Sequence, residues 1–199
     1  MTEFPIMEHF YTLQGEGRNS GVAAYFIRLA GCDVGCHWCD VKESWDATKH
    51  TRLTIDSLIE QVSRSKASNV VITGGEPLMY NLDYLCRAFK ERNVKTFIET
   101  SGSGKLSGFW DWVVLSPKKT KLPVDNIYKH ANELKMIIYN NDDFKFAEQQ
   151  AQKVSDNCML FMQPEWSKKN IIMNTIIDYI KDNPKWRLSL QTHKYIDIP

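Results

Sequence analysis

The sequence predicts an α/β protein whose parallel sheet forms an incomplete βα barrel. Segments with the apolar pattern of a strand alternate with segments that have one apolar helical face, and this alternation favours parallel βαβ units. Short polar motifs recur directly after the predicted strands, where α/β proteins bind ligands. A complete barrel usually takes about 250 residues. We therefore expect the 199 residues to form one domain, 1–199, with a partial barrel.

The predicted strands are short and apolar. Val70-Val71-Ile72 is typical, because a continuous β-branched run bounded by polar residues indicates a strand buried on both faces. In chain order we expect strands at 6–11, 23–29, 69–73, 95–98, 112–115, 133–139, 159–162 and 186–190.

Four helices are predicted between these strands, at 54–64, 81–92, 142–154 and 167–181. Thr54 suits the N-cap of the first helix, since Ile55, Leu58 and Val62 then share one face. The connections 101–112 and 116–132 are too irregular for ordinary helices. We therefore expect these two strand connections to lack the helix that normally packs on the outside of a βα barrel.

Composition argues against several functional classes. The net charge is +1, so no broad field is directed at nucleic acid or a membrane surface. No apolar run approaches a membrane span, and residues 1–6 lack the features of a signal peptide. The odd cysteine count argues against a disulfide framework, and the isolated Cys86 and Cys158 are expected to be buried apolar residues. We expect a cytoplasmic protein that binds neither nucleic acid nor membranes.

Three of the five cysteines, Cys32, Cys36 and Cys39, have the spacing C-x3-C-x2-C. Thiolates at such short range suit zinc or an iron–sulfur cluster. Either usually takes four protein ligands, so three cysteines leave one metal position open for another ligand. A zinc knuckle completed by His37 or His9 remains an alternative.

A second motif, Thr73-Gly74-Gly75-Glu76-Pro77, directly follows the predicted strand at 69–73. Its glycines allow a ligand to approach the backbone closely. Together with the cysteine spacing and Trp38 before the last cysteine, it resembles the radical S-adenosylmethionine (SAM) superfamily. The resemblance implies the radical SAM type of partial barrel and a [4Fe–4S] cluster on the three cysteines. It also implies that SAM binds the remaining iron and is cleaved to a 5′-deoxyadenosyl radical, which takes a hydrogen atom from the substrate.

Five further segments narrow the resemblance: 10–17 (FYTLQGEG), 28–32 (RLAGC), 116–118 (SPK), 163–164 (QP) and 191–195 (QTHKY). Together they resemble the 7-carboxy-7-deazaguanine synthase family over almost the whole chain. The resemblance implies a lyase that converts 6-carboxy-5,6,7,8-tetrahydropterin to 7-carboxy-7-deazaguanine and ammonia, on the route to queuosine and other 7-deazapurines. It also implies reuse of SAM, assistance by Mg2+, an external electron donor such as flavodoxin, and a homodimer.

The resemblance also implies which residues form the site. Polar pocket residues with expected catalytic roles are Glu16, Glu99 and His193. Expected substrate contacts are Leu13, Gln14, Gly15, Arg28, Thr73 and Pro199. Expected SAM contacts are Trp38, Cys39, Gly75, Ser116, Pro117, Lys118, Gln163, Pro164, Glu165 and Trp166.

The residue types suit these roles. The Arg28 guanidinium can pair with a substrate carboxylate in fork geometry, and Gln14 can satisfy both donors and acceptors of a pterin ring. The α-carboxylate of Pro199 is expected to accept hydrogen bonds from the pterin, with its direction restricted by the proline ring.

One position departs from the family pattern. The family often has Thr two residues after the third cysteine, and the resemblance implies that its hydroxyl binds Mg2+. Val41 stands here and offers no oxygen to a hard cation. No residue is therefore assigned to Mg2+.

Two other functions fit part of the pattern. A radical SAM activase that installs a glycyl radical on a partner enzyme would need an open docking groove instead of a closed substrate pocket. A non-catalytic metal or electron-transfer module would have no SAM site.

Overall fold

In the computed structural model, which describes residues 2–199, nine strands form one sheet in the order β3-β1-β2-β4-β5-β6-β7-β8-β9. The strands are β1 (Glu3–Leu13), β2 (Ala23–Leu29), β3 (Arg52–Thr54), β4 (Asn69–Gly74), β5 (Lys95–Thr100), β6 (Trp112–Leu115), β7 (Glu133–Ile138), β8 (Met159–Pro164) and β9 (Trp186–Leu188). From β2 through β4 to β9 all neighbours are parallel. The sheet ends at β3 and β9 without closing, which confirms the predicted incomplete barrel.

The α-helices are α1 (Ile55–Arg64), α2 (Asp83–Lys90), α3 (Asp142–Ala151), α4 (Lys169–Asp182) and α5 (Thr192–Ile196). The four predicted helices are confirmed, with ends that differ by a few residues. Thr54 caps α1, since its side chain accepts a hydrogen bond from the backbone N–H of Ser57. The connection 101–111 has no helix and 116–132 has a single 3-10 segment, as expected. No helix among residues 2–199 is long and apolar enough to cross a membrane.

The first strand differs most from its prediction. It covers Glu3–Leu13, longer than expected, and it runs antiparallel to β2, with Leu13 opposite Ala23. The nine residues between these partners are too few for the crossover that parallel strands require, so the chain turns back on itself. The far end of β1 pairs with β3, a short strand that was not predicted from the sequence.

The two faces of the sheet have different surroundings, because successive strand residues point to opposite sides. Ile27, Ile72 and Leu134 belong to the main apolar core. Arg28 and Lys135, each next in sequence to one of these core residues, point to the opposite face of the sheet and line a cavity there. The interior of the barrel is therefore partly polar.

Candidate active site

A cavity lies at the carboxyl ends of the parallel strands, the edge at which barrel proteins bind ligands. Every predicted site residue except Pro117 lines it: Leu13, Gln14, Gly15, Glu16, Arg28, Cys32, Cys36, Trp38, Cys39, Thr73, Gly75, Glu99, Ser116, Lys118, Gln163, Pro164, Glu165, Trp166, His193 and Pro199. Pro117 is buried and does not line the cavity, whereas Ser116 and Lys118 on either side of it do. The expectation that Pro117 contacts SAM directly therefore lacks support from the cavity lining.

The cysteine loop, residues 31–40, is anchored by the backbone of the next segment. The N–H of Gly31 donates to the carbonyl of Ser44 at 2.6 Å, and the N–H of Cys32 donates to that of Trp45 at 3.3 Å. Within the loop, the N–H of Cys39 donates to the carbonyl of Cys36 at 3.1 Å. These bonds leave all three thiols free, partly buried and facing one cavity.

The thiols suit an iron–sulfur cluster. Among residues 2–199, no three His, Cys, Asp or Glu side chains converge as ligands of a single metal ion. A [4Fe–4S] cluster needs no such convergence, because each cysteine binds a different iron, and thiolates are the ligands that it takes. The arrangement therefore fits a cluster, and it does not form the four-ligand site of a zinc knuckle.

The two motif glycines pack against the start of the cysteine loop. A Cβ on Gly74 would lie 2.0 Å from the Leu29 carbonyl oxygen, and a Cβ on Gly75 would lie 2.2 Å from that of Gly31. Gly74 also has φ +136°, which side-chain-bearing residues rarely adopt. Both positions require glycine for this contact, independently of any role in binding SAM.

Glu76 of the same motif is a structural residue. Its buried carboxylate accepts hydrogen bonds from the N–H groups of Leu78 (3.0 Å) and Ser101 (2.8 Å) and from the hydroxyl groups of Thr100 (2.5 Å) and Ser101. These bonds compensate a buried charge and join the ends of β4 and β5.

Lys118 lies close to the cysteine loop. Its Nζ donates to the carbonyl (2.5 Å) and hydroxyl (2.6 Å) oxygens of Ser116 and lies 5.7 Å from the centre of the Trp38 ring. Burial lowers the pKa of Lys118 to about 8. This ammonium is suited to bind an anionic group of a ligand beside the thiols.

Glu16, Glu99 and Lys135, which we call the acid–lysine group, form a polar part of the lining. Lys135 Nζ donates to a carboxylate oxygen of Glu16 and, at 2.5 Å, to Oε2 of Glu99. Gln14 Nε2 donates to Oε1 of Glu99 at 2.8 Å, and Gln14 Oε1 accepts from the N–H of Glu16 at 3.0 Å. Burial opposes ionisation of Glu16, but Lys135 overcomes it and lowers the Glu16 pKa to about 2.

The C-terminal segment covers the loop after β1. Both the N–H and the hydroxyl of Thr192 donate to the Gly15 carbonyl at 2.9 Å, and the N–H of Gly17 donates to Oγ of Ser189 at 2.9 Å. The His193 ring packs on Gly15 so closely that a Cβ there would lie 2.1 Å from Nδ1. Burial lowers the pKa of His193, which favours the neutral imidazole. We call these contacts the β1–β9 seam, because no strand pairing joins the two strands.

Two charged residues of the lining already have partners. The Nε of Arg28 donates to Glu8 at 2.7 Å, so one edge of the guanidinium is occupied. Asp40, next to Val41, accepts from Lys194 Nζ at 2.6 Å. The oxygen-bearing residue nearest in sequence to Val41 is thus paired with an ammonium group.

Among the polar lining residues that were not predicted as site residues, Lys135 and Gln191 both contact Glu16. Gln191 Nε2 donates to Glu16 Oε1 at 3.0 Å. A signal for Lys135 was present, because Glu133 and Lys135 are two apart in an otherwise apolar strand and therefore share one face. Two charges on one face of a central strand indicate a polar interior.

The partial barrel and the three-cysteine loop define a radical SAM protein, and residues 26–106 match the profile described as the Radical SAM superfamily. The 7-carboxy-7-deazaguanine synthase of Flavobacterium psychrophilum is 56% identical over 98% of this chain and 92% of its own length. That of Synechocystis is 49% identical over 98% and 93%. The crystal structure of QueE from Escherichia coli superposes with TM-score 0.85 at 32% identity, covering 96% of this chain and 95% of that one. The chain belongs to the 7-carboxy-7-deazaguanine synthase family.

This membership establishes the radical SAM cofactors, a [4Fe–4S] cluster and SAM. It removes the grounds for the zinc, activase and electron-transfer alternatives, each of which explained only part of the sequence.

Proposed function

We propose that this chain converts 6-carboxy-5,6,7,8-tetrahydropterin to 7-carboxy-7-deazaguanine with release of ammonia, as a carbon–nitrogen lyase. The observation that carries the proposal is that one cavity contains both the three cysteine thiols and the acid–lysine group. A substrate held by the polar group would therefore lie in the same cavity as the radical source.

Residues of the acid–lysine side would bind the pterin. When bound, the cluster and SAM supply the radical that takes one hydrogen atom from the substrate. Glu16 and Glu99 would accept hydrogen bonds from ring N–H groups, and Gln14, which bonds to both residues, would add a donor and an acceptor. The unoccupied edge of the Arg28 guanidinium suits the substrate carboxylate. Leu13, Gly15, Thr73, His193 and Pro199 complete this proposed substrate site.

The other side of the cavity would bind SAM. Lys118 supplies an ammonium for an anionic group, and Trp38 and Trp166 supply aromatic surface. Glu165 is less free, because its carboxylate accepts hydrogen bonds from the N–H and hydroxyl of Ser167. Cys39, Gly75, Ser116, Gln163 and Pro164 complete the proposed set.

Stacked aromatic rings form an apolar part of the cavity wall. The rings of Phe10 and Phe26 lie 5.7 Å apart, nearly parallel at 11°, and both line the cavity. Apolar walls keep water away from a reactive intermediate, as radical chemistry requires.

We further propose that Mg2+ assists the reaction with few protein ligands, because Val41 contributes none. The electron would come from an external donor such as flavodoxin, and the working form would be a cytoplasmic homodimer, as the resemblance implies.

Anaerobic turnover tests the proposed function. Protein with a reconstituted cluster is incubated with SAM, reductant and the carboxytetrahydropterin, without any other protein. We expect the deazapurine chromophore and its mass to appear in more than one equivalent per SAM. A protein that cleaves SAM but leaves the pterin unchanged would contradict the proposal.

A further inference from the structure

We infer that Lys135 is a positioning residue for the proposed substrate: its buried ammonium holds the Glu16 and Glu99 carboxylates side by side, both ionised, as a paired acceptor for ring N–H donors. The inference rests on the proposed function, which it deepens by stating how the ring is recognised. It assigns the substrate class as a heterocycle with two N–H donors on one edge.

The geometry brings three distant segments to one nitrogen. Lys135 lies on β7, Glu99 on β5 and Glu16 in the loop after β1. The Lys135 side chain is only 4% exposed, and its Nζ donates to both carboxylates. A lysine is rarely buried unless it is paired, and here a single ammonium pairs with two acids.

The two acids keep further hydrogen bonds that fix their orientation. Gln191 donates to Oε1 of Glu16, and Gln14 donates to Oε1 of Glu99. Lys135 occupies Oε2 of each. A carboxylate oxygen can accept more than one hydrogen bond, so each acid retains capacity for a donor from the cavity.

Three other titratable groups and one uncharged side chain face this group. Glu133 lies two residues away on β7, Lys118 follows β6, His193 is on α5, and Gln14 is uncharged. Glu133 Oε1 is buried without a hydrogen-bond partner. Burial raises the pKa of Glu133, although Lys135 opposes the shift. Lys135 forms its ion pairs with Glu16 and Glu99, so its charge is compensated by these two acids and not by Glu133.

Removing the ammonium would leave two carboxylates next to each other in a buried place. Two neighbouring carboxyl groups do not both ionise easily, because their charges repel each other, so one acid would hold a proton near neutral pH. The O–H of a protonated acid would face an N–H of the ring, and two donors form no hydrogen bond with each other. Lys135 therefore favours binding of the ring indirectly, because it keeps Glu16 and Glu99 ionised as hydrogen-bond acceptors.

Binding of 6-carboxypterin, a stable and fluorescent ligand, tests the inference in the cluster-loaded protein with SAM. We expect Lys135→Met to raise the dissociation constant at least tenfold at pH 6, with affinity recovering as the pH rises and the second acid ionises. The wild type should show no such recovery. Lys135→Arg should restore wild-type affinity and pH profile, and the exposed Lys129→Met is the matched control.

Two results would overturn the inference: unchanged affinity in Lys135→Met, or a loss that is independent of pH and not rescued by Lys135→Arg. If Lys135→Met does not fold, Lys135→Gln serves as the second neutral variant, with the same expected pH profile.

A second measurement separates this inference from the proposed function. Infrared spectra of ligand-free protein at pH 7 report the carbonyl band of a protonated acid. The comparison is made in a Glu133→Gln background, so that Glu133 contributes no carboxylic acid. In that background, the variant that also carries Lys135→Met should show this band, and the variant that keeps Lys135 should not. The band should be present even if the wild type binds no pterin, whereas its absence would overturn the role of Lys135.

Discussion

The cysteine loop and the acid–lysine group line the same cavity but are built in opposite ways. The loop brings its three thiols together within eight residues, from Cys32 to Cys39. In the acid–lysine group, Lys135 lies 119 residues from Glu16 and 36 from Glu99. Local spacing therefore creates the metal site, whereas only the folded sheet creates the polar site.

Mutations in the two regions should impair the protein in different ways. Loss of a cysteine removes a ligand that no neighbour replaces, so the cofactor is lost. Changes around the acid–lysine group would disturb the proposed substrate contacts, while the loop and its backbone bonds to Ser44 and Trp45 should remain. The two regions should be separable by mutation.

The largest effect is expected for Cys36→Ala. One of three thiol ligands is lost, so reconstitution should give no visible charge-transfer absorption and no SAM cleavage. The matched control is Cys86→Ala with Cys158→Ala, since both thiols are buried away from the cavity. Loss of the cluster in this double variant as well would refute the assignment to three cysteines.

A smaller, selective effect is expected for Gly15→Ala. The new Cβ would lie 2.1 Å from His193 Nδ1, so the imidazole must move from its position in the cavity lining. We expect kcat/KM for the pterin to fall about tenfold, equivalent to about 1.4 kcal/mol, with cluster absorption and SAM affinity unchanged. Adding Gly15→Ala to His193→Gly should cause little further loss, because Nδ1, Cγ and the Cβ of residue 193, which would lie 2.9 Å from the new Cβ, are all absent. Equal losses in both backgrounds would show that His193 is not the affected group.

The smallest effect is expected for Val41→Thr. A hydroxyl here gives Mg2+ one more oxygen ligand, so turnover should depend more steeply on added Mg2+ than in the wild type. Titration of activity with Mg2+ after chelation measures the change. A wild type already fully dependent on Mg2+, and unaffected by Val41→Thr, would place the ion elsewhere.

Much of the fold could be predicted because its signals are local. The run Val70–Ile72 and the Thr54 cap mark β4 and α1 without tertiary information. The direction of β1 depends on its pairing partner, which the apolar pattern of one strand does not identify. The short helix α5 has no buried residue and is held by contacts such as Thr192 to Gly15, so it lacks an amphipathic signal.

In the candidate site too, the residues with local signals could be predicted and those that depend on tertiary contacts could not. The cysteines and the glycine motif could be predicted, since their chemistry depends on neighbouring residues. The packing of Gly75 on Gly31 and the pairing of Lys135 with two acids could not, because each joins segments far apart in sequence. A resemblance can supply such residues only when the family pattern includes them.

The β1–β9 seam has a consequence for how a ligand enters. Elsewhere neighbouring strands are joined by backbone ladders, whose hydrogen bonds must break together before the strands separate. The seam is joined by a few isolated hydrogen bonds, such as those from Thr192 to Gly15 and from Gly17 to Ser189. Each contributes only about 0.5–1.5 kcal/mol, so thermal fluctuation can part this edge while the rest of the barrel stays intact. We therefore expect this edge of the barrel, which lies beside the residues proposed to hold the pterin, to open more readily than the paired strands.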